Sequence, residues 1–435
     1  MSSPSQSSPP PSCHSSSRDV KRAKYEAKQE SQRIAKEVEQ SLAQNRALWL
    51  NGREDYAAFI TVQDVCDIKR LLVRNEESVS SCINDARTKR LLQISDWIAP
   101  FFDLKELPTS KVTNERLFVS EGTEAVRMMI QRCVGGTNNG SDAIPPPPPP
   151  SVRLFSILTK PATFFDPPTH LLQDFEERRL FGVSGSSGML PSFKIVIADE
   201  KAMTEIAGFP IARGAMACGV IPNYIQTNAY SWLKGILSRD YPTMMVNSTT
   251  NQQRRLLALD AVSNAANMGS IIRTAAAFSI DAIILSDDSC DAFYRQSVRT
   301  SMGHVISLPI LRVSDWENSR NEDDVYDDDG ECIGLAKVLK WLRKTMNVEC
   351  LAAVVDDDRE RKYNQPFVLL EDQTETSRSW CCVLGNEGNG IRDTVIQECD
   401  IRVKIGMASG VDSLSLPIAA GILLHSLSSS RSEKE

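Results

Sequence analysis

A chain of 435 residues is longer than one hydrophobic core usually organises, so two or more domains plus tails are expected. Hydrophobic residues make up 41% and aromatic residues 6%, and no apolar run nears the roughly 18 residues of a membrane span. This excludes an integral membrane helix and describes a soluble protein. The formal net charge of −7 excludes a uniformly basic polyanion binder, yet the average hides an acidic run at 321–331 set against Arg295, Arg299 and Arg312.

The eleven cysteines contain no C-x-x-C, and the four histidines pair with no carboxylate or cysteine at ligand spacing. No metal site is expected, and a zinc or His-triad hydrolase is disfavoured. An odd count of cysteines reads as reduced thiols inside the cell, several of them filling apolar strands.

Residues 1–17 are almost wholly Ser and Pro, either a disordered low-complexity tail or the start of a transit peptide. Asp19, Glu26 and Glu30 follow closely, which favours the cytoplasm over an organelle or the nucleus. Residues 18–113 read as a helical N-terminal region: a charged arm to about 48, then "VQDVCDIKRLLV" and "TKRLLQISDWI" with apolar positions at helical spacing. From 114 to 229, strand and helix patterns alternate and imply a small α/β domain, broken by "GGTNNGSDAIPPPPPP", an extended surface insertion or, alternatively, a ligand for an aromatic groove. A linker spans 230–253. Over 254–428, near-continuous apolar strands alternate with helices, the pattern of a parallel sheet covered on both faces. The acidic run inside this span is either a solvated loop or a partner-binding tail, and 429–435 is a tail.

Three glycine-punctuated segments follow in fixed order within that span: "NMGSIIRTAAAF" from Asn267, "VLGNEGNG" from Val383 and "IGMASGVDSLSLPIAAGILL" from Ile405. Each joins an apolar run to a tight turn and a helix start, a geometry that holds a small ligand against backbone amides. In the first, Asn267 is placed to cap a helix beginning at Met268, with Ile271, Ile272, Ala275 and Ala276 buried and Arg273 on another face. Between the first and second segments, "YRQSVRTSMGH" sets Arg295 and Arg299 one helical turn apart. In the second, Gly385, Gly388 and Gly390 permit close backbone approach and a turn into a helix at Ile391, with Glu387 at the crest. In the third, Ser413 stands at a helix start.

Order and spacing together resemble the signature motifs of the SpoU (TrmH-like) RNA 2′-O-ribose methyltransferases of the SPOUT superfamily, from about Arg254 to Ser428. A second resemblance, in "RLFVSEGTEAVRMMIQ" and "IARGAMACGVI", covers about 114–222 and is to the small ribosomal-protein-like α/β domain that precedes the catalytic domain in many members. The resemblance implies a trefoil-knotted α/β domain, S-adenosyl-L-methionine as cofactor, tRNA or rRNA as partner, and a homodimer. It implies Arg273, Glu387 and Ser413 as catalytic residues. For the cofactor it implies Leu384, Gly385, Gly388, Ile405, Met407 and Leu414, and for RNA it implies Asn267, Arg295 and Arg299.

Some positions depart from the family pattern. Asn264 and Ala265 stand where many members carry Asp-Pro, Gly406 replaces a proline, Ser415 replaces an asparagine, and Pro417 follows it. These departures leave open an RNA-binding protein that kept the fold and lost methyl transfer. A dinucleotide-binding oxidoreductase is a third reading, but "GNEGNG" has the wrong order for G-x-G-x-x-G and follows a late strand.

Overall fold

The computed structural model describes residues 49–73, 85–102, 116–133, 153–166, 171–178, 180, 193–211, 214–221, 229–237, 253–314, 333–355, 363–372, 378–411 and 413–429. The expected Ser/Pro tail, charged arm, proline run, acidic run and last tail residues, 430–435, lie outside them. The chain divides into two compact units, Met1–Ala57 and Ala58–Glu435. In the first, Arg53 donates to the Trp49 carbonyl at 2.6 Å and lies over its ring.

The second unit carries two sheets. The N-terminal one has five strands: β1 (Ala57–Ile60), β2 (Leu117–Glu121), β3 (Arg153–Thr159), β4 (Lys194–Ala198) and β5 (Ala215–Val220), in the order β1-β4-β3-β5-β2. Its pairings are mixed, with β3 parallel to β4 and antiparallel to β5. Around it lie α1 (Val62–Val73), α2 (Ala86–Ile98), α3 (Thr123–Gln131), α4 (Pro161–Phe165), α5 (Leu171–Glu177) and α6 (Glu200–Ala207). Helix α1 starts where it does because Thr61 and Asp64 cap each other: the Thr61 amide donates to Asp64 at 3.0 Å and the Asp64 amide to the Thr61 hydroxyl at 3.3 Å. Asp85 caps α2 through the Thr88 amide, and Asp199 caps α6 through the Ala202 amide.

Ile68 of α1 and Leu91, Ile94 and Trp97 of α2 share one core with Val119, Leu158, Val196 and Met216 of the sheet. The expected division at 113/114 lies outside the described residues, and elements from before and after it share this core. The helical periodicity was readable in the sequence, but the surface those faces cover was not.

After α7 (Ala229–Leu237) the second sheet begins. It comprises β6 (Arg255–Leu259), α8 (Ala265–Ala277), β7 (Ala282–Leu285), α9 (Arg295–Thr300), β8 (Ile310–Arg312), α10 (Gly334–Met346), β9 (Glu349–Ala353), β10 (Phe367–Leu369), β11 (Trp380–Leu384), α11 (Asp393–Gln397), β12 (Ile401–Lys404) and α12 (Leu416–Ser429). Its order is β10-β12-β9-β11-β6-β7-β8, and every pairing is parallel. Strands β6, β7 and β11 are buried at every position, as a parallel sheet covered on both faces requires. Cys350, Cys381 and Cys399 fill the core beside Leu339, Leu342 and Val395. Burial pushes the neighbouring Cys382 thiol up to about 12, so these cysteines are inert packing groups. Among the described residues no helix is long and apolar enough to cross a membrane.

The two sheets meet through α9 and the strand-helix corner of β2 and α3. Phe118 and Phe293, both buried, set their rings 5.3 Å apart, and Arg116 pairs with Asp291 at 2.6 Å. Glu121 pairs with Arg295, whose guanidinium lies 4.3 Å over the Phe209 ring. An apolar contact with charged pairs at its rim holds the small domain against the larger one.

Candidate active site

Because β6, β7, β9, β11 and β12 run parallel, their carboxyl ends share one edge, with Leu259 in register with both Leu285 and Leu384. From β6 the chain builds outward through β7 and β8, then returns to lay β9 and β11 on the opposite side. The succession reverses between β6 and β11, and open α/β sheets take ligands in the crevice at that point. The loop after β6 leads into the first glycine segment and the loop after β11 is the second, so both face that crevice. The third follows β12 on the same edge.

A polar latch fixes the crevice. Asp260, the residue after β6, is wholly buried, and its own amide donates to the Leu384 carbonyl at 2.8 Å. Its carboxylate accepts from the Arg392 amide at 2.9 Å, from Arg392 Nε at 2.8 Å and from Nη2. A buried carboxylate is tolerable only when paired in this way, and the pairing holds the Arg392 guanidinium above its ordinary range.

Asn386 closes the second loop. Its Oδ1 accepts from the Gly388 amide at 2.7 Å, and its Nδ2 donates to the Ala261 carbonyl at 2.8 Å across the crevice. The loop after β7 supports the other side, where the Ser286 and Ser289 hydroxyls accept from the Ala261 and Val262 amides. Arg312, expected among the RNA-facing basic residues, instead donates to the carbonyls of Asp287, Ser289 and Cys290 at 2.9–3.2 Å. It organises a loop.

In the first segment, α8 begins at Ala265 rather than Met268. The cap is Asn264, whose side chain accepts from the Ala266 and Asn267 amides at 2.9 and 3.0 Å. Asparagine serves as a cap as well as aspartate does, so the departure at 264 costs the helix little. Asn267, displaced into the first turn, is left to donate its Nδ2 to Glu387. That bond joins the first segment to the second. Arg273 is exposed on α8 and has no hydrogen bond or ion pair with a described residue.

Helix α9 crosses α8 at Gly269, where a Cβ would collide with the Thr300 hydroxyl and the Ser297 carbonyl, and Ser297 donates to the Ala265 carbonyl at 3.0 Å. Arg295 points to Glu121 of the small domain, which takes up the guanidinium expected to meet RNA. Arg299 is exposed and has no partner among the described residues.

In the second segment, Gly385 has a role within the loop itself. A Cβ at Gly385 would meet the backbone of Gly390 and Ile391, so this glycine is required by the loop folding back on itself, where Asn386 and Gly390 exchange backbone hydrogen bonds of 3.1 and 2.8 Å. Leu384 is buried beneath it, while Glu387 and Gly388 are exposed. Along the third segment, Ile405, Met407 and Leu414 are half-buried, and the backbone groups of 405–407 make no backbone hydrogen bond among the described residues. An added Cβ at Gly406 would meet the Glu371 carboxylate, the end of an exposed side chain that can move aside, so a side chain at this position is not excluded. Helix α12 starts at Leu416, with the Ser415 carbonyl accepting from Ile418 and Ala419 at 3.0 Å. Ser413 therefore lies upstream of the helix start, exposed in the loop.

The third segment, on the same sheet edge, thus offers half-buried apolar side chains and backbone groups without a backbone hydrogen bond among the described residues, a lining for a ligand that is part apolar and part polar. Residues 254–329 and 330–425 match the model of the SpoU rRNA Methylase family. This segment, under half of the chain, is similar to that family.

The chain is 27% identical over 228 residues to an uncharacterised tRNA/rRNA methyltransferase of Mycobacterium bovis, covering 52% of this chain and 64% of that protein. It therefore spans less than two thirds of the length of this relative. It is 24% identical over 222 residues to a 23S rRNA guanosine 2′-O-methyltransferase of Bacillus subtilis, covering 48% of this chain and 76% of the relative. The SpoU methyltransferase AviRb from Streptomyces viridochromogenes aligns with a TM-score of 0.48 at 16% identity, over 78% of this chain and 97% of its own. Within the SpoU segment, the residues that sequence reasoning did not single out are Asp260, Asn386 and Arg392. The only signal for them was a charge ending an otherwise apolar strand, "LLALD".

Proposed function

We propose that this protein transfers the methyl group of S-adenosyl-L-methionine to a ribose 2′-hydroxyl of tRNA or rRNA. The observation that carries this is that the loops after β6 and β11 are joined through Asn267 and Glu387 and through Asn386 and Ala261, with the third glycine segment leaving β12 on the same sheet edge. The half-buried Ile405, Met407 and Leu414 supply the apolar wall that an adenosine and a methionine tail need, the backbone around Leu384 and Gly385 lines the same pocket, and the open backbone groups of 405–407 can bond a purine edge. When bound, the cofactor supplies an electrophilic methyl carbon. The protein must bring the hydroxyl close to that carbon and stabilise the charge that develops on its oxygen.

Arg273 suits that second task. A guanidinium does not give up its proton, so it acts as a fixed cation and phosphate anchor rather than as a base. Glu387, tied to Asn267, holds the two substrate-side loops in register. Arg299, exposed on α9, and the small domain bind the RNA.

The reading includes a knotted homodimer in which Arg273 of one subunit serves the cofactor of the other. Its support is α12: one side packs on α8, where Gly421 meets Thr274, and the other leaves Ile418 56% and Ile422 38% exposed at helical spacing. Such a stripe fits a second copy. Calorimetry with S-adenosyl-L-methionine, followed by transfer of labelled methyl to bulk RNA, tests the function. Binding with transfer is expected; cofactor binding without transfer to any RNA would contradict it.

A further inference from the structure

Arg402 of β12 is 2% exposed, and no described carboxylate pairs with it. Its Nη2 donates to the Gln365 carbonyl at 3.1 Å, while Nε and Nη1 are buried with no hydrogen-bond partner among the described residues. The guanidinium carbon lies 5.5 Å from the ring centroids of both Tyr363 and Phe367. A cation buried in this half-satisfied state costs stability, and an apolar side chain of similar size usually costs less. Folded chains break such a rule mainly where a function depends on it.

The guanidinium holds the edge segment 363–372. Strand β10 ends the sheet, is three residues long, pairs only with β12 and has no buried residue, so its own side chains do little to fix it. Arg402 ties it down instead, through the two rings, the Gln365 carbonyl and its own amide, which donates to the Pro366 carbonyl at 2.8 Å. The start of the segment is anchored to α11: Gln365 Nε2 donates to the Gln397 carbonyl at 2.9 Å and the Tyr363 hydroxyl to Asp393. At the other end Leu369 stands opposite Lys404, so residues 370–372 emerge beside 405–407, and an added Cβ at Gly406 would meet the Glu371 carboxylate.

We propose that Arg402 is a positioning residue for the cofactor loop: it clamps the edge segment onto β12 and thereby holds 405–407 in the arrangement that takes S-adenosyl-L-methionine. The inference rests on the reading of the protein as a methyltransferase and adds how its third glycine segment is kept in place. A planar guanidinium beside two rings, tied to a carbonyl, fixes direction as well as distance, which an apolar contact does not. A loop ordered in advance spares the cofactor the cost of ordering it.

The test compares the parent, Arg402→Met and Phe367→Leu by hydrogen exchange without cofactor, by thermal melting and by calorimetry with S-adenosyl-L-methionine. Methionine fills the volume without unpaired donors, so Arg402→Met should melt no lower than the parent. Its amides at 367–372 and 402–407 should nevertheless exchange faster, while β6, β7 and β11 keep parent rates. Cofactor affinity should fall about tenfold, as when roughly a tenth of the molecules hold the competent arrangement. In methyl transfer the loss should fall on the KM for the cofactor rather than on kcat. Phe367→Leu removes one ring and should show the same local exchange change, smaller in size.

Parent-like exchange at 402–407 or parent-like cofactor affinity in Arg402→Met would overturn the clamp, as would faster exchange spread equally through β6, β7 and β11. If Arg402→Met does not fold, Phe367→Leu decides on the same readouts. Failure of the clamp and failure of the methyltransferase reading are separable, because exchange is measured without cofactor. Cofactor binding by the parent with unaltered exchange and affinity in the variants removes only the clamp. The expected exchange response in a parent that binds no S-adenosyl-L-methionine removes the methyltransferase reading and leaves the clamp on the loop.

Discussion

Arg273 is the one charged side chain on α8, and it is exposed there without a partner among the described residues. Arg273→Ala should therefore leave the melting temperature and cofactor affinity within a few-fold of the parent and lower methyl transfer by about a hundredfold or more. Arg273→Lys should rescue poorly, because the planar fork is lost. Near-parent turnover in the alanine variant would remove the assignment. Gly385 makes the opposite case. The sequence presents it as a glycine opened to a ligand, whereas in the structure a Cβ there would also meet the backbone of residues 390 and 391. Gly385→Val should lower the melting temperature as well as cofactor binding; a variant that melts like the parent but binds no cofactor would instead support a direct ligand contact. The difference was not legible because a glycine turn reads the same whether the close neighbour is a ligand or the loop itself.

At the scale of elements, the strands and most helices were legible because period and burial agree: fully apolar strands in the sheet, amphipathic helices on its faces. Contacts that join distant segments were not. Asp260 and Arg392 are 132 residues apart, and no local pattern announces their pairing. Arg392→Leu leaves Asp260 with only a backbone donor from that residue and should destabilise by roughly 3 kcal/mol, less where solvent reaches the pair, with a matching drop in urea midpoint. Parent-like stability would show that the pair contributes only geometry. Where α8 crosses α9, Gly269→Ala forces a Cβ against the Ser297 carbonyl, and the helices must part at a cost of about 1–3 kcal/mol. Thermal melting checks it. The start of α8 was misplaced by three residues because Asn264 and Asn267 are both competent caps, and only the geometry of the loop after β6 selects the first.

For the whole molecule, the proposed dimer makes a prediction that no single residue carries. Mixing inactive Arg273→Ala chains with inactive Leu414→Asp chains should restore activity if each arginine serves the partner's cofactor site. No recovery after proven subunit exchange, or a monomer by light scattering, would contradict the arrangement. Phe118 against Phe293 and Glu121 against Arg295 dock the small domain on the larger one.

The proposed acceptor is the ribose 2′-hydroxyl, and alkaline hydrolysis of RNA labelled by the parent protein reads it. Alkaline cleavage requires a free 2′-hydroxyl as nucleophile, so a 2′-O-methylated nucleotide protects the bond that follows it. Label transferred from methyl-labelled S-adenosyl-L-methionine should appear in alkali-resistant dinucleotides; label appearing only in mononucleotides would place the methyl group on a base and contradict the claim.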